Sequence, residues 1–200
     1  MSSTIHLNHD VPSIIATPVY RNGFIYLTWE ECVDGGNWGD ICNRQVRVVQ
    51  IPVFRVTGLN RILASTDSKL GFHDYVFGGD APQLGTLTSY DIPALDVNRN
   101  DDVAIVYGRA GPSPLLARPG AFYAISYHDQ RGLVLDGVLR EAQCGPPGRL
   151  DCVHLGQGDT HLDLSCVVID PTDETTAWMA HEFVEGKIRG FEMVIGRVKP

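Results

Sequence analysis

The sequence has no run approaching the roughly eighteen apolar residues of a membrane helix, so no membrane span is expected. Its first residues, MSSTIHLNHD, lack the charged and apolar regions of a signal peptide, so any export signal has been removed or never existed. There is no basic stripe: the net charge is −8 with both signs interspersed, which argues against a nucleic-acid partner. No Asn-x-Ser/Thr acceptor occurs, and no Gly-x-Ser-x-Gly, Walker, dinucleotide or His-Glu-x-x-His pattern is present. Amphipathic helical periodicity is almost absent, which disfavours a parallel α/β sheet. No cofactor is implied. What remains is a chain of 200 residues, 44% hydrophobic, suited to one domain with a full core or to part of a larger repetitive one.

Cysteine is scarce but paired in sequence. Cys32 and Cys42 bracket a Gly-rich loop, and Cys144 and Cys152 bracket a second. Neither pair has the C-x₂₋₄-C spacing of a zinc site. Disulfides are favoured over free thiols, which places the protein in an oxidising compartment, extracellular or periplasmic. Cys166 lies inside an apolar run and reads as a small buried hydrophobe.

Residues 1–11 form an N-terminal arm without periodicity; its two histidines, His6 and His9, carry little case for a metal. Residues 12–200 read as a single all-β domain. The first unit is SIIATPVY, a tight turn at Arg21-Asn22-Gly23, and FIYLTW, followed by QVRVVQIPVF with Pro52 marking an end or an edge. Leu59–Leu70 is expected to add an outer strand, and Gly71 to about Ser89 a surface connection. The second unit runs from Ile92–Val97 through the turn Asn98–Asp102 to VAIVY, then AFYAISY and GLVLDGVLREA. For Val134–Ala142 a helix competes, with Gly137 against it. The third unit is HLDLSCVVIDPTDETTAWMAHEFV, closed by FEMVIGRVKP. Its apolar run, Leu164–Ile169, leads into an Asp170–Asp173 turn and a return strand, Thr175–Val184. Turns at Asn22, Asn100 and Thr172 lie about 78 and 72 residues apart, a structural rather than strict repeat. Trp29 and Trp178 read as core, while Trp38, on the Gly-rich loop, reads as an exposed contact platform.

The stretches RNGFIYLTW, PALDVNRNDDVAIVYGRAG and GDTHLDLSCVVIDPTDETTAWMAHEF, ending in VIGRV, resemble the C-terminal blades of secreted bacterial sialidase-like, BNR-type β-propeller proteins. The resemblance covers roughly residues 12–200 and implies radially arranged antiparallel sheets. The expected fold is therefore a β-propeller or partial propeller of about three to four antiparallel blades, with a β-sandwich as the alternative. Three units are fewer than the roughly four to eight blades that close a ring, so the chain is expected to self-associate, two copies making six blades, or to lack blades of a longer chain.

Sialidase chemistry needs an arginine cluster for the substrate carboxylate, a Tyr/Glu nucleophile pair and an acidic donor. Arg109, Arg118, Tyr123, Asp159 and Glu182 are residues of these types, but no motif ties them to the roles. An Asp-box approach, STDSKLGF at Ser65–Phe72, has Lys69 where glycine belongs, and would report a turn rather than catalysis. Asp96-Val-Asn98-Arg-Asn100-Asp101 resembles the start of a calcium loop, but Asp101 replaces its glycine and Tyr107 its glutamate, so a polar hairpin turn is expected. His181 and Glu182 are neighbours on one strand and point to opposite faces, which reads as a surface histidine beside a solvated glutamate. The ligand-binding candidates are Asp159, Asp163, Arg109, Tyr123 and Trp38. They suggest an extracytoplasmic binding or assembly module for a glycan or protein ligand. A sialidase-like glycoside hydrolase and a purely structural subunit are the alternatives.

Overall fold

In the computed structural model, which describes residues 16–32, 44–56, 61–78, 89–110, 120–131, 134–141, 165–184 and 191–200, twelve β-strands and two short 3-10 turns make up the described elements. The strands form three antiparallel sheets, none closed into a barrel, and the chain is all-β in the manner of a partial propeller or a layered sandwich. Sheet 1 contains β1 (Val19–Arg21), β2 (Phe24–Cys32), β3 (Arg44–Val56), β4 (Arg61–Ala64) and β5 (His73–Gly78). Sheet 2 is the meander β6 (Ser89–Val97), β7 (Val103–Ala110), β8 (Gly120–Ser126), β9 (Leu135–Glu141). Sheet 3 is β10 (Ser165–Ile169), β11 (Ala177–Val184), β12 (Phe191–Val198).

Each sheet opens on a hairpin, and each hairpin turns through the left-handed region: Asn22 at φ 48, Asp101 at φ 65 and Glu174 at φ 54. Asn and Asp tolerate that region better than other non-glycine residues, and Gly23 at φ 85 completes the first turn. The three expected units are therefore present, with the same backbone twist at the start of each. Their turns meet at one pole of the molecule. Asn22 Nδ2 donates to Asp101 Oδ1 at 2.7 Å, the Arg99 N–H donates to the Glu174 carbonyl at 2.9 Å, and Arg21 lies 3.7 Å from the Glu174 carboxylate.

Sheet 2 is the middle layer and is covered on both faces. On one side Leu95, Val103, Ile105, Tyr107 and Phe122 pack against Tyr26, Val46 and Val48 of sheet 1. On the other, Ala94, Ala104, Val106 and Ile125 pack against Val167, Ile169, Ala177 and Met179 of sheet 3. Burial on both faces explains why β7 reads as an unbroken apolar run, VAIVY, with no alternation. Full burial of a Val, Ile or Phe side chain contributes about 1.5–3 kcal/mol, so these two interfaces dominate the cohesion of the fold.

Several local expectations are corrected. β3 does not stop at Pro52: it runs through it, because Pro52 falls where one partner ends, Gln50↔His73 of β5, and the next begins, Val53↔Ala64 of β4. A residue without an N–H costs nothing at that gap. The segment expected as a surface connection contains β5, whose His73, Tyr75 and Phe77 turn inward between outward Asp74 and Val76. Ser65–Phe72 is a turn, as its residues suggested: Asp67 accepts from the Lys69 N–H at 2.9 Å, and Gly71 closes it at φ 89. In the region where a helix competed, Leu135–Glu141 is a strand, and Gly137 is required there, since a Cβ would come within 2.5 Å of the Tyr123 ring.

Candidate functional site

Polar side chains are buried between the sheets, Glu30 and His181 among them. At the pole opposite the three turns, β6 carries a bulge between Asp91 and Ala94, with Ile92 forced to φ 44 and Pro93 beside it. A β-branched residue in that region is strained, and bulges of this kind cluster beside functional sites. Glu30 of β2, 5% exposed, reaches across from sheet 1, where its Oε2 accepts the Ile92 N–H at 3.0 Å and its Oε1 lies 3.1 Å from Arg44 Nη1. Burial raises the Glu30 pKa, against the opposing pull of Arg44 and the Ile92 N–H.

His181 of β11 stands on the far side of the same bulge and is 0% exposed. Its Nδ1 lies 2.5 Å from the Glu182 carbonyl, which can only accept, so Nδ1 carries the proton. Its Nε2 is buried without a hydrogen-bond partner among the described residues. Burial drives its pKa down to about 4, outweighing the Glu182 and Ile92 backbone groups that favour the charged ring. The expected surface histidine is thus a neutral core histidine: β11 turns Ala177, Met179 and His181 inward together. Glu30 and His181 lie on opposite faces of β6, so they do not converge on a common reacting atom. They clamp the strained strand from both sides.

The carboxylates at the turn pole are likewise committed. Asp96 accepts its own Val97 N–H at 2.7 Å and the Ile169 N–H of sheet 3 at 2.8 Å, pinning two sheets together. Asn98 Oδ1 takes the Asn100 and Asp102 N–H groups, and its amide donates to Asp102, so the calcium-like stretch is the polar hairpin turn that its sequence departures indicated. Among the described residues no three His, Cys, Asp or Glu side chains converge as a metal site.

Of the candidates read from sequence, Arg109 and Tyr123 are described, and the fold separates them. Arg109 lies with its guanidinium 3.7 Å from the Phe122 ring centroid, on the sheet 1 side, where Phe122, Tyr107 and Tyr90 form an aromatic stack. Tyr123, next to Phe122 on β8, points the other way and packs toward sheet 3. Trp38, Arg118, Asp159 and Asp163 lie outside the described residues, as do Cys42, Cys144, Cys152 and the Cys32 side chain. The two expected disulfides are therefore not part of the described structure. Cys166 is a free thiol and is exposed, not buried, because Val167 and Ile169 take the inward positions of β10.

The feature that sequence reasoning missed is the outer face of sheet 3. Val168 (54% exposed), Trp178 (42%), Met193 (48%) and Ile195 (69%) share it with Cys166. The register sets Val168 beside Trp178, Trp178 beside Arg197, and Ala180 beside Ile195. Trp178, expected in the core, is instead held on this surface. Its Nε1–H donates to Asp170 Oδ2 at 3.0 Å, and the Arg197 guanidinium lies 5.6 Å from its ring centroid. Asp170 also accepts from the Thr172 N–H and hydroxyl, while Asp173 takes the Thr175 and Thr176 N–H groups and the Thr176 hydroxyl. These bonds hold both carboxyls below the usual range and fix the turn that anchors the indole.

No protein-family model matches the chain, and no curated protein or solved structure is significantly similar to it.

Proposed function

We propose that the protein is an extracytoplasmic binding or assembly module, with carbohydrate as the preferred small-ligand class. The observation that carries this reading is the exposed apolar face of sheet 3, with an indole fixed in its midst. Apolar groups gathered on one exposed face mark interaction sites, and an aromatic immobilised before binding loses little entropy on contact. The oxidising location rests on the cysteine pairs alone, and counting alkylatable thiols by mass with and without prior reduction tests it. A glycan array and a fluorogenic sialoside test the rest. Glycan binding without turnover of the sialoside is the expected result. Turnover overturns the binding-module reading.

A further inference from the structure

We propose that the outer face of sheet 3 docks on the outer face of sheet 1 in a second copy of this chain, closing a two-chain ring of six sheets. The inference rests on the binding-or-assembly reading and names the partner of the same face. Three observations carry it.

The first is the strand pattern. β7, covered on both sides, reads as a continuous apolar run; β10 reads the same way over CVVI, yet only Val167 and Ile169 of that run are covered. A sequence that is apolar on both sides of a strand is that of a strand with two covering layers. The second is the opposite end of the molecule. The sheet 1 face turned away from sheet 2 carries exposed Tyr20 with half-buried Ile25, Leu27 and Ile51 beside it at one end, and Val76 beside the ion pairs of Arg47 with Glu31 and Asp74 at the other. Each end face thus carries an apolar patch that no described residue covers.

The third is how the chain already pairs such faces. Each sheet offers one face to the sheet before it and the other to the sheet after it: sheet 1 to sheet 2, then sheet 2 to sheet 3. The turn of sheet 3 touches both earlier hairpins, through Arg21 and Arg99, so the sheets fan about a common axis rather than stacking in line. The next step of that fan sets a following face, that of sheet 3, against a preceding face, that of sheet 1. Between copies this is a head-to-tail contact, which closes into a ring when the rotation permits. Two copies give six sheets, inside the roughly four to eight that close, whereas three copies exceed it.

The test uses two single variants of the full chain, Ile195→Lys on the sheet 3 face and Tyr20→Lys on the sheet 1 face, with mass measured by light scattering at about 50 μM and folding checked by circular dichroism. The wild-type chain is expected as a dimer and each folded variant as a monomer. Mixing the two variants leaves one intact sheet 3 to sheet 1 contact, so the mixture is expected to regain dimer mass. A monomeric wild type overturns the proposal. Variants that keep dimer mass, or a mixture that stays monomeric, show that the two faces do not pair head to tail, and overturn it equally. Any of these failures leaves the ligand-binding reading to the glycan array.

Discussion

At the scale of single residues, the buried ionisable groups of this protein act as structural clamps, and their substitution should show it. Glu30→Ala leaves the Ile92 N–H buried without an acceptor and is expected to cost about 1–3 kcal/mol, whereas Glu30→Gln, which keeps an acceptor oxygen, should stay near wild type in a urea titration. Equal losses for both would mean that the charge, not the hydrogen bond, matters. His181 sets a pH dependence of definite sign. Its native pKa of about 4 lies below the ordinary 6.5, so as pH falls through that interval the unfolded chain takes a proton that the native protein refuses. The native state then loses up to about 3 kcal/mol between the two values. Glu30, with a raised native pKa, works in the opposite direction: its contribution is full below 4.5 and is lost as pH rises through its folded value. Comparing wild type with His181→Gln by thermal melts at pH 7 and pH 5 isolates the histidine. The gap between them should shift in favour of the variant at pH 5, and an unchanged gap contradicts the assignment.

At the scale of elements, the three first hairpins share a left-handed turn residue, and the third uses a glutamate, which suits that conformation less than asparagine does. Glu174→Asn is therefore expected to raise the melting temperature relative to Glu174→Val, by roughly 1 kcal/mol of stability. The pair shares the loss of the Arg21 contact, so the comparison reads the backbone alone. These turns were the most legible part of the sequence, because Asn98–Asp102 and Asp170–Asp173 use residues whose side chains bond their own backbone, and Asn22-Gly23 uses two residues that accept the left-handed region. β5 was not legible: it is short, and its pairing partner, β3, lies more than twenty residues upstream. Trp178 and Cys166 were misplaced for a different reason. Where both sides of a strand are apolar, alternation gives no sign of which side faces in, and only the register with β11 and β12 decides it. His181 was misread by residue type, since a histidine amid alternating polar and apolar neighbours carries no mark of burial. The Ile92 bulge had one sequence signal, Pro93 within the strand.

At the scale of the whole molecule, the sheets form a fan with a doubly covered middle layer and two end faces that each carry an apolar patch. The middle layer accounts for cohesion, and the end faces are the ones proposed to associate. An isolated copy would keep Val168, Trp178, Met193 and Ile195 in water, each forfeiting part of the roughly 1.5–3 kcal/mol that burial of such a side chain contributes. Sedimentation equilibrium of the wild-type chain across a concentration series tests the central claim most directly. A single species of twice the chain mass is expected, with no larger assembly as concentration rises. A mass that stays at one chain throughout, or climbs without limit as an open filament would, contradicts it.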